Sequence, residues 1–178
     1  VRDGAGTAVF ESGAIDDAGA IRGNDADRDP SVFEPHYEEI TRADQVQIYE
    51  PTLGDRTGAP TTGLLTAVRY LKDNRLLPRG FDKKTAAAEI GVYGGAESDP
   101  DFAGGSDRIR YRVAAGAAGR YRVEVELRYQ PIAYRWAHNL ERYDAPEPAR
   151  FLRYYKADAS SSSVVVATAT ASSGDASN

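Results

Sequence analysis

Few side chains in this sequence could do acid–base or metal chemistry. His36 and His138 are the only histidines, and there is no cysteine. The missing thiol excludes a cysteine nucleophile, a zinc–thiolate centre, a disulfide and covalent haem attachment by this chain. His36 lies in "FEPHYEEI", between Pro35 and the run Tyr37, Glu38, Glu39. No serine or cysteine signature accompanies either histidine, so no nucleophile, base and oxyanion arrangement can be assembled around them. Each reads more simply as a hydrogen-bonded edge or surface histidine. By itself the chain is not expected to be an enzyme.

Oxygen ligands of the kind calcium prefers are concentrated in two acidic, glycine-rich loops. "DDAGAIRGNDADRDPS" holds Asp25, Asp27 and Asp29 behind Asn24, and "GGAESDPDFAGGSD" with its surroundings holds Glu97, Asp99, Asp101 and Asp107. Neither follows the EF-hand spacing, and no bidentate Glu closes either loop. Asp and Asn also cap turns through their own backbone, so turn chemistry outranks a calcium site here.

The stretch "YLKDNRLLPRGF" sets three cations among apolar residues. Asn74 tolerates a left-handed turn, Pro78 presets φ and Gly80 relieves crowding, so the segment reads as a corner. Leu76, Leu77 and Phe81 would pin it to a core. Arg75 and Arg79 are left to meet an anion, whether a neighbouring carboxylate or an anionic ligand. Eleven tyrosines and one tryptophan make a sugar-stacking surface conceivable, but Tyr111, Tyr121 and Tyr129 alternate with Val and Leu as core-edge residues do. Trp136, at helical spacing from Ile132 and Leu140, reads as a packing anchor. "GAGTAVFESG" lacks the spacing of a phosphate loop.

The elements that must carry these residues are mostly strands. In "RIRYRV", Ile109, Tyr111 and Val113 share one face and the arginines the other, as period two requires. In "RYRVEVELRYQ", Tyr121, Val123, Val125, Leu127 and Tyr129 alternate with charged residues in the same way, and the intervening "AAGAAG" suits a hairpin. Arginines of one strand would then face glutamates of the other on a solvated surface. "TAVFES", "QVQIYE", "AEIGVYG" and "SVVVATATA" read as further strands. "GLLTAVRYLKDN" fits either period, and its surroundings favour a strand. Pro131 opens one short helix carrying Trp136, and Pro146 or Pro148 another with Phe151, Leu152 and Tyr155 inward.

The expected fold is an antiparallel β-sandwich, of which an immunoglobulin-like arrangement is one form, with one or two short helices before the last strand. At 178 residues the expectation is a single domain over 1–172 with a disordered tail at 173–178. No internal repeat is evident. The net charge of −5 is spread over 27 acidic and 22 basic residues without a basic block, which argues against a nucleic-acid partner. No apolar run approaches the roughly 20 residues of a transmembrane helix. The opening "VRDGAGTAVFESG" reads as strand, Gly turn and strand, and the chain is expected to be a piece of something longer.

Taken together, "VFESGAI", "HYEEI", "QVQIYE", "TTGLLTAVRYLKDNRLLPRGF", "YQPIAYRWAHNL" and "RFLRYY" resemble the carboxy-terminal β-rich domain of bacterial multihaem c-type cytochromes related to the cytochrome c554 group. The resemblance implies a periplasmic or extracellular, non-catalytic structural or interaction domain of an electron-transfer protein. Haem c would then be carried by an upstream region or partner, with this domain packing on it or mediating subunit assembly. A homo-oligomer is a further open partner reading. The contact candidates under this resemblance are His36, Tyr37, Arg75, Arg79, Trp136 and His138, with His36 against a haem and an arginine on a propionate. The rival expectation is a secreted carbohydrate-binding or adhesion module that uses exposed aromatics and calcium.

Overall fold

Turns set the layout of this chain, and three of them are the same turn. It is formed by the Asp-x-x-Gly-x segments at residues 3–7, 16–20 and 55–59; the same pattern at 101–105 bonds differently. In each of the three turns the Asp Oδ1 accepts the backbone N–H groups two and four residues ahead. The Asp carbonyl accepts from the glycine N–H, and the Asp N–H donates to the carbonyl of the residue after the glycine. The glycines have φ of 85°, 83° and 91°, the left-handed region that a Cβ disfavours. This recurrence was legible in "DGAGT", "DDAGA" and "DRTGA" but is too short to register as a repeat. Its effect is to fold the chain back on itself locally, bridging Arg2 to Ala8 and Ile15 to Ile21.

The computed structural model describes residues 1–114, 116 and 119–173. Part of the expected "AAGAAG" hairpin and the tail beyond Ser173 lie outside the described residues. Ser173 itself is tied down, its N–H donating to the Tyr121 carbonyl and its hydroxyl accepting from the Tyr121 N–H. The strands are β1 (Arg2–Asp3), β2 (Glu39–Ile40), β3 (Pro51–Gly54), β4 (Pro60–Thr61), β5 (Arg69–Asp73), β6 (Arg110–Tyr111), β7 (Tyr121–Tyr129) and β8 (Val164–Ser172). Helices α1 (Tyr134–His138) and α2 (Pro146–Asp158) precede β8, as expected. The fold is β-rich: β1–β7–β8 and β4–β3–β5 are antiparallel sheets, β2 and β6 form a parallel pair, and the sheets are not closed.

The chain divides into two compact units, Val1–Arg22 with everything from Val113 onward, and Gly23–Arg112. In the first, the alternating strand β7 runs beside β8 from Arg122↔Ser172 to Tyr129↔Val164, with a bulge that leaves Val166 without an opposite residue. The α2 helix begins at Pro146, where a missing N–H costs nothing. It buries Tyr155 and Ala159 with Ala137 of α1, flanked by Phe151 and Leu152. Trp136 and Leu140 are half-buried, while Ile132 is left exposed ahead of the helix.

Several expected strands take other forms. The arginine strand shrinks to β6, which pairs with β2 and not with β7. Its register follows from fully buried Ile40, whose carbonyl accepts from the Arg112 N–H, and from Glu39, which draws Arg112 to 2.7 Å and Arg110 to 3.9 Å. On β7, Glu124 and Glu126 are met by Arg122 and Arg128 of the same strand, two residues away. "AEIGVYG" starts as a 3-10 turn at Ala88–Ile90. "TAVFES" contributes only the bridge at Ala8. In "GLLTAVRYLKDN" the strand is confined to Arg69–Asp73, and Leu64 and Leu65 sit on an exposed turn.

The three turns make a graded prediction. A Cβ at Gly6 or Gly58 meets nothing within 4 Å, whereas at Gly19 it would lie 2.6 Å from the Tyr155 hydroxyl and 3.1 Å from Ala159 Cβ. Gly6→Ala and Gly58→Ala should each cost about 1–2 kcal/mol of backbone strain. Gly19→Ala should lower the melting temperature clearly further. Equal losses in thermal melts of the three variants would show that the contact over α2 does not bear on stability.

Candidate functional site

The unit Gly23–Arg112 has a core in which polar side chains outnumber apolar ones. Among the described residues, Asn24, Glu34, His36, Thr52, Lys72, Asp73, Asn74 and Asp99 are buried, against Ala26, Ile40, Val46, Val92, Ala96 and Phe102. Each such polar group must find a partner, because an unpaired one costs several kcal/mol. Glu34, His36, Lys72, Asn74 and Asp99 find one another or the backbone of segments that lack a strand partner, Asp73 is held by Arg75, and Asn24 caps its own turn.

The segment "QVQIYE" shows how. It was expected as a strand, yet side chains perform the work of a ladder. Glu34 Oε2 accepts from the Val46 N–H, the Ile48 carbonyl accepts from Lys72 Nζ at 3.0 Å, and Asn74 Oδ1 accepts from the Glu50 N–H at 3.0 Å. Lys72 Nζ also donates to the Glu34 carbonyl at 2.8 Å and reaches the Glu50 carboxylate at 3.4 Å. Burial pulls Lys72 below the ordinary lysine range, with Glu50 and Glu34 opposing the shift. Glu34, 1% exposed, accepts from the Asp25 N–H and from the Tyr37 hydroxyl.

At the centre is His36, whose side chain is 1% exposed, as is that of its partner Asp99. His36 Nε2 lies 3.0 Å from Asp99 Oδ2. On the other side of the ring, Nδ1 faces the side-chain amides of Gln47 at 3.0 Å and Asn74 at 3.1 Å. The backbone fixes which way both amides point. Gln47 Oε1 accepts from the Tyr37 N–H and Asn74 Oδ1 from the Glu50 N–H, so both turn their NH₂ groups toward the imidazole. Nδ1 is therefore an acceptor for two donors, and the ring proton sits on Nε2, donated to Asp99.

Asp99 is held just as firmly. Burial alone would push its carboxyl up; the hydrogen bonds from His36 and from the Asp101 and Phe102 backbone outweigh it and hold the group below the usual carboxylate range. Phe102 packs edge-on to the imidazole with ring centroids 5.1 Å apart, and Lys83 stands over the phenylalanine, donating to the Ala96 and Asp99 carbonyls. A second pair lies alongside: Tyr49 donates to Asp107 Oδ2 at 2.6 Å. The hydroxyls of Tyr49 and Tyr37 are both pushed above the ordinary tyrosine range, by burial first and by bonding to a carboxylate second.

Among the described residues, His36, Asp99 and Asp107 are the one set of three ligating side chains whose donor atoms lie within 4.8 Å of one another. The donors do not suit a cation. A metal needs the lone pair of Nε2, yet the two amides have already assigned the proton to that nitrogen. Asp107 is committed to Tyr49 and to the Arg108 N–H. The arrangement locks chain segments 63 residues apart and offers no open nucleophile or base.

The other expected site residues are dispersed. Asp25 lies in the 3-10 turn capped by Asn24, and Asp29 accepts from the Ser31 N–H and hydroxyl, which is turn chemistry. Asp101 faces Arg108 at 3.9 Å. Arg75 grips Asp73 through Nε at 2.9 Å and through a terminal nitrogen at 2.6 Å, so its anion is a neighbouring carboxylate. Arg79 stands at the expected corner, where the Phe81 N–H closes the turn onto Pro78 and Gly105 packs on the arginine. Leu77 and Phe81 pin that corner to Val92, Ala96 and Phe102, while Leu76 is exposed. His138 stacks on Tyr134 with ring centroids 3.6 Å apart and is 3.9 Å from Glu141. Glu34, Gln47 and Lys72 were not singled out from the sequence; Asn74 was, as a left-handed turn residue, but no described residue other than glycine has positive φ, and Asn74 serves the buried network instead. Only the period-two spacing of Glu34 and His36 hinted that a polar face points inward.

No protein-family model matches the chain, and neither a curated protein nor a solved structure matches it.

Two outcomes follow from the network. Nitrogen-15 NMR of the histidines should find His36 as the Nε2–H tautomer; an Nδ1–H ring would contradict the amide orientations. Asp99 contributes stability above its unfolded value near pH 3.8, and that contribution is lost as pH falls through the lower folded value. Asp99→Asn should cost about 1–3 kcal/mol at neutral pH. Denaturant titrations should also show the variant losing less stability than the parent between pH 4 and 2.

Proposed function

We propose that this chain is a non-catalytic structural or interaction domain of an extracytoplasmic multihaem cytochrome, packing on a haem-bearing region or joining subunits. The observation that carries the interaction role is an apolar sheet face left open. On β7 and β8 the side chains of Tyr121, Val123, Val125, Leu127, Tyr129, Val164, Ala167, Ala169 and Ala171 share one face. Val125 is 49% exposed, Tyr129 59% and Val164 57%, at positions whose alternation marks them for a core. An apolar surface of this kind is the sort that a partner covers. Covered by strands of the partner, this sheet becomes one half of a sandwich of immunoglobulin-like type.

The cytochrome reading rests on the motif resemblance. Its segments "HYEEI", "QVQIYE" and "RYLKDN" supply His36, Gln47, Lys72 and Asn74 to the buried network, so the resemblance is carried by residues that hold the fold together. The saturated His36–Asp99 pair supports a non-catalytic role. Tyr37, Arg79, Trp136 and His138 are the remaining contact positions for a haem-bearing partner. His36, closed off from solvent, acts through the fold. Haem c would be bound by that partner.

Recovery of the protein from its native source, with intact mass and a visible absorption spectrum, tests this reading. A larger covalent species with a Soret band, or co-purification with a haem protein, is the expected result. A colourless species of this chain's mass, free of any haem protein, would overturn the cytochrome assignment.

A further inference from the structure

The outer edge of β8 carries an inference independent of the cytochrome reading. β8 ends the sheet order β1–β7–β8, so among the described residues its second edge has no strand beside it. All nine of its residues are exposed. Exposed edges in natural sheets are guarded by charges, proline, bulges or shortness. β8 has no proline, and no charged residue occurs between Asp158 and Asp175. Its one guard is the bulge at Val166, near the start, which leaves Ala167–Ser172 regular.

We propose that β8 pairs with β8 of a second copy of this chain, antiparallel, about a twofold axis at Ala169. The symmetry is restrictive. Two neighbouring antiparallel strands related by a twofold must have the axis perpendicular to the sheet, so residues opposite each other share a face. Centred on Ala169, the pairing sets Ala169 against its own copy, Thr168 against Thr170 and Ala167 against Ala171. Every opposed pair is small and uncharged, and the threonine pairs are among the favourable cross-strand combinations. The neighbouring strand β7 could not do this: Arg122, Glu124, Glu126 and Arg128 line its outer face. A second copy is preferred over an unrelated strand because the edge is complementary to itself at every position from 167 to 171. The product is a six-stranded sheet ordered β1–β7–β8–β8–β7–β1, with the apolar faces of both copies on one side.

Analytical ultracentrifugation of the chain over a concentration series should give a reversible species of twice the 19.2 kDa chain mass. Ala169→Lys places two ammonium groups directly opposite at the axis and should weaken the dimer at least about tenfold. Ala169→Glu should do the same. Mixing the two variants should restore a dimer, because only then do unlike charges meet. Ala169 is exposed in the single copy, so circular dichroism and melting of each variant at low concentration should match the parent. A parent chain that stays monomeric into the millimolar range overturns the proposal. So does a dimer indifferent to either substitution, or a mixture that fails to associate while the parent dimerises.

Discussion

A buried polar group must be matched donor for acceptor, and the unit Gly23–Arg112 is built around that requirement. Lys72 illustrates the constraint. An ammonium withdrawn from water is tolerated only where several acceptors replace its hydration, and here two carbonyls and a carboxylate do so. Those acceptors come from residues 34, 48 and 50, so satisfying one cation fixes three stretches of backbone. His36 repeats the logic with three partners, Asp99 at Nε2 and the amides of Gln47 and Asn74 at Nδ1, whose own orientation the backbone decides. Irregular chain is thereby held in place without a continuous sheet.

That architecture explains what could and could not be read from the sequence. β7 was legible from its strict alternation, β8 from its valine- and threonine-rich run, and α2 because Pro146 and the Phe151, Leu152, Tyr155 spacing mark a helix; alternation alone did not decide, since "RIRYRV" alternates as strictly and keeps only the two-residue β6. "QVQIYE" looks like a strand because its backbone is extended, but its partners are side chains of Glu34, Lys72 and Asn74. Local pattern reports extension; it does not report what the peptide groups bond to. The His36–Asp99 contact spans 63 residues, and neither residue's neighbourhood distinguishes a buried imidazole from an exposed one. Of the loop aspartates, Asp29 and Asp99 each accept the backbone N–H two residues ahead, as turn-forming aspartates do, and Asp99 and Asp107 also join the buried network. The three Asp-x-x-Gly-x turns are recognisable as one motif only through the bonds they share.

The two units use different means of cohesion. In the unit holding β7 and β8, apolar side chains supply one small cluster between α1 and α2, while the long strands stay open on one face and one edge. In the other, the buried polar network stands beside the apolar cluster of Val92, Ala96 and Phe102, and Leu64, Leu65, Val68, Leu76 and Ile90 are exposed.

The polar core of Gly23–Arg112 also bears on temperature. Unfolding a core of alkyl side chains raises the heat capacity of the chain, whereas hydrating carboxylates, amides and an ammonium lowers it. With eight polar residues buried against six apolar ones, the two contributions oppose each other in this unit. Its stability curve should therefore be flatter than that of an alkyl core of the same size. The buried network of this unit would then keep its geometry over a wide thermal range.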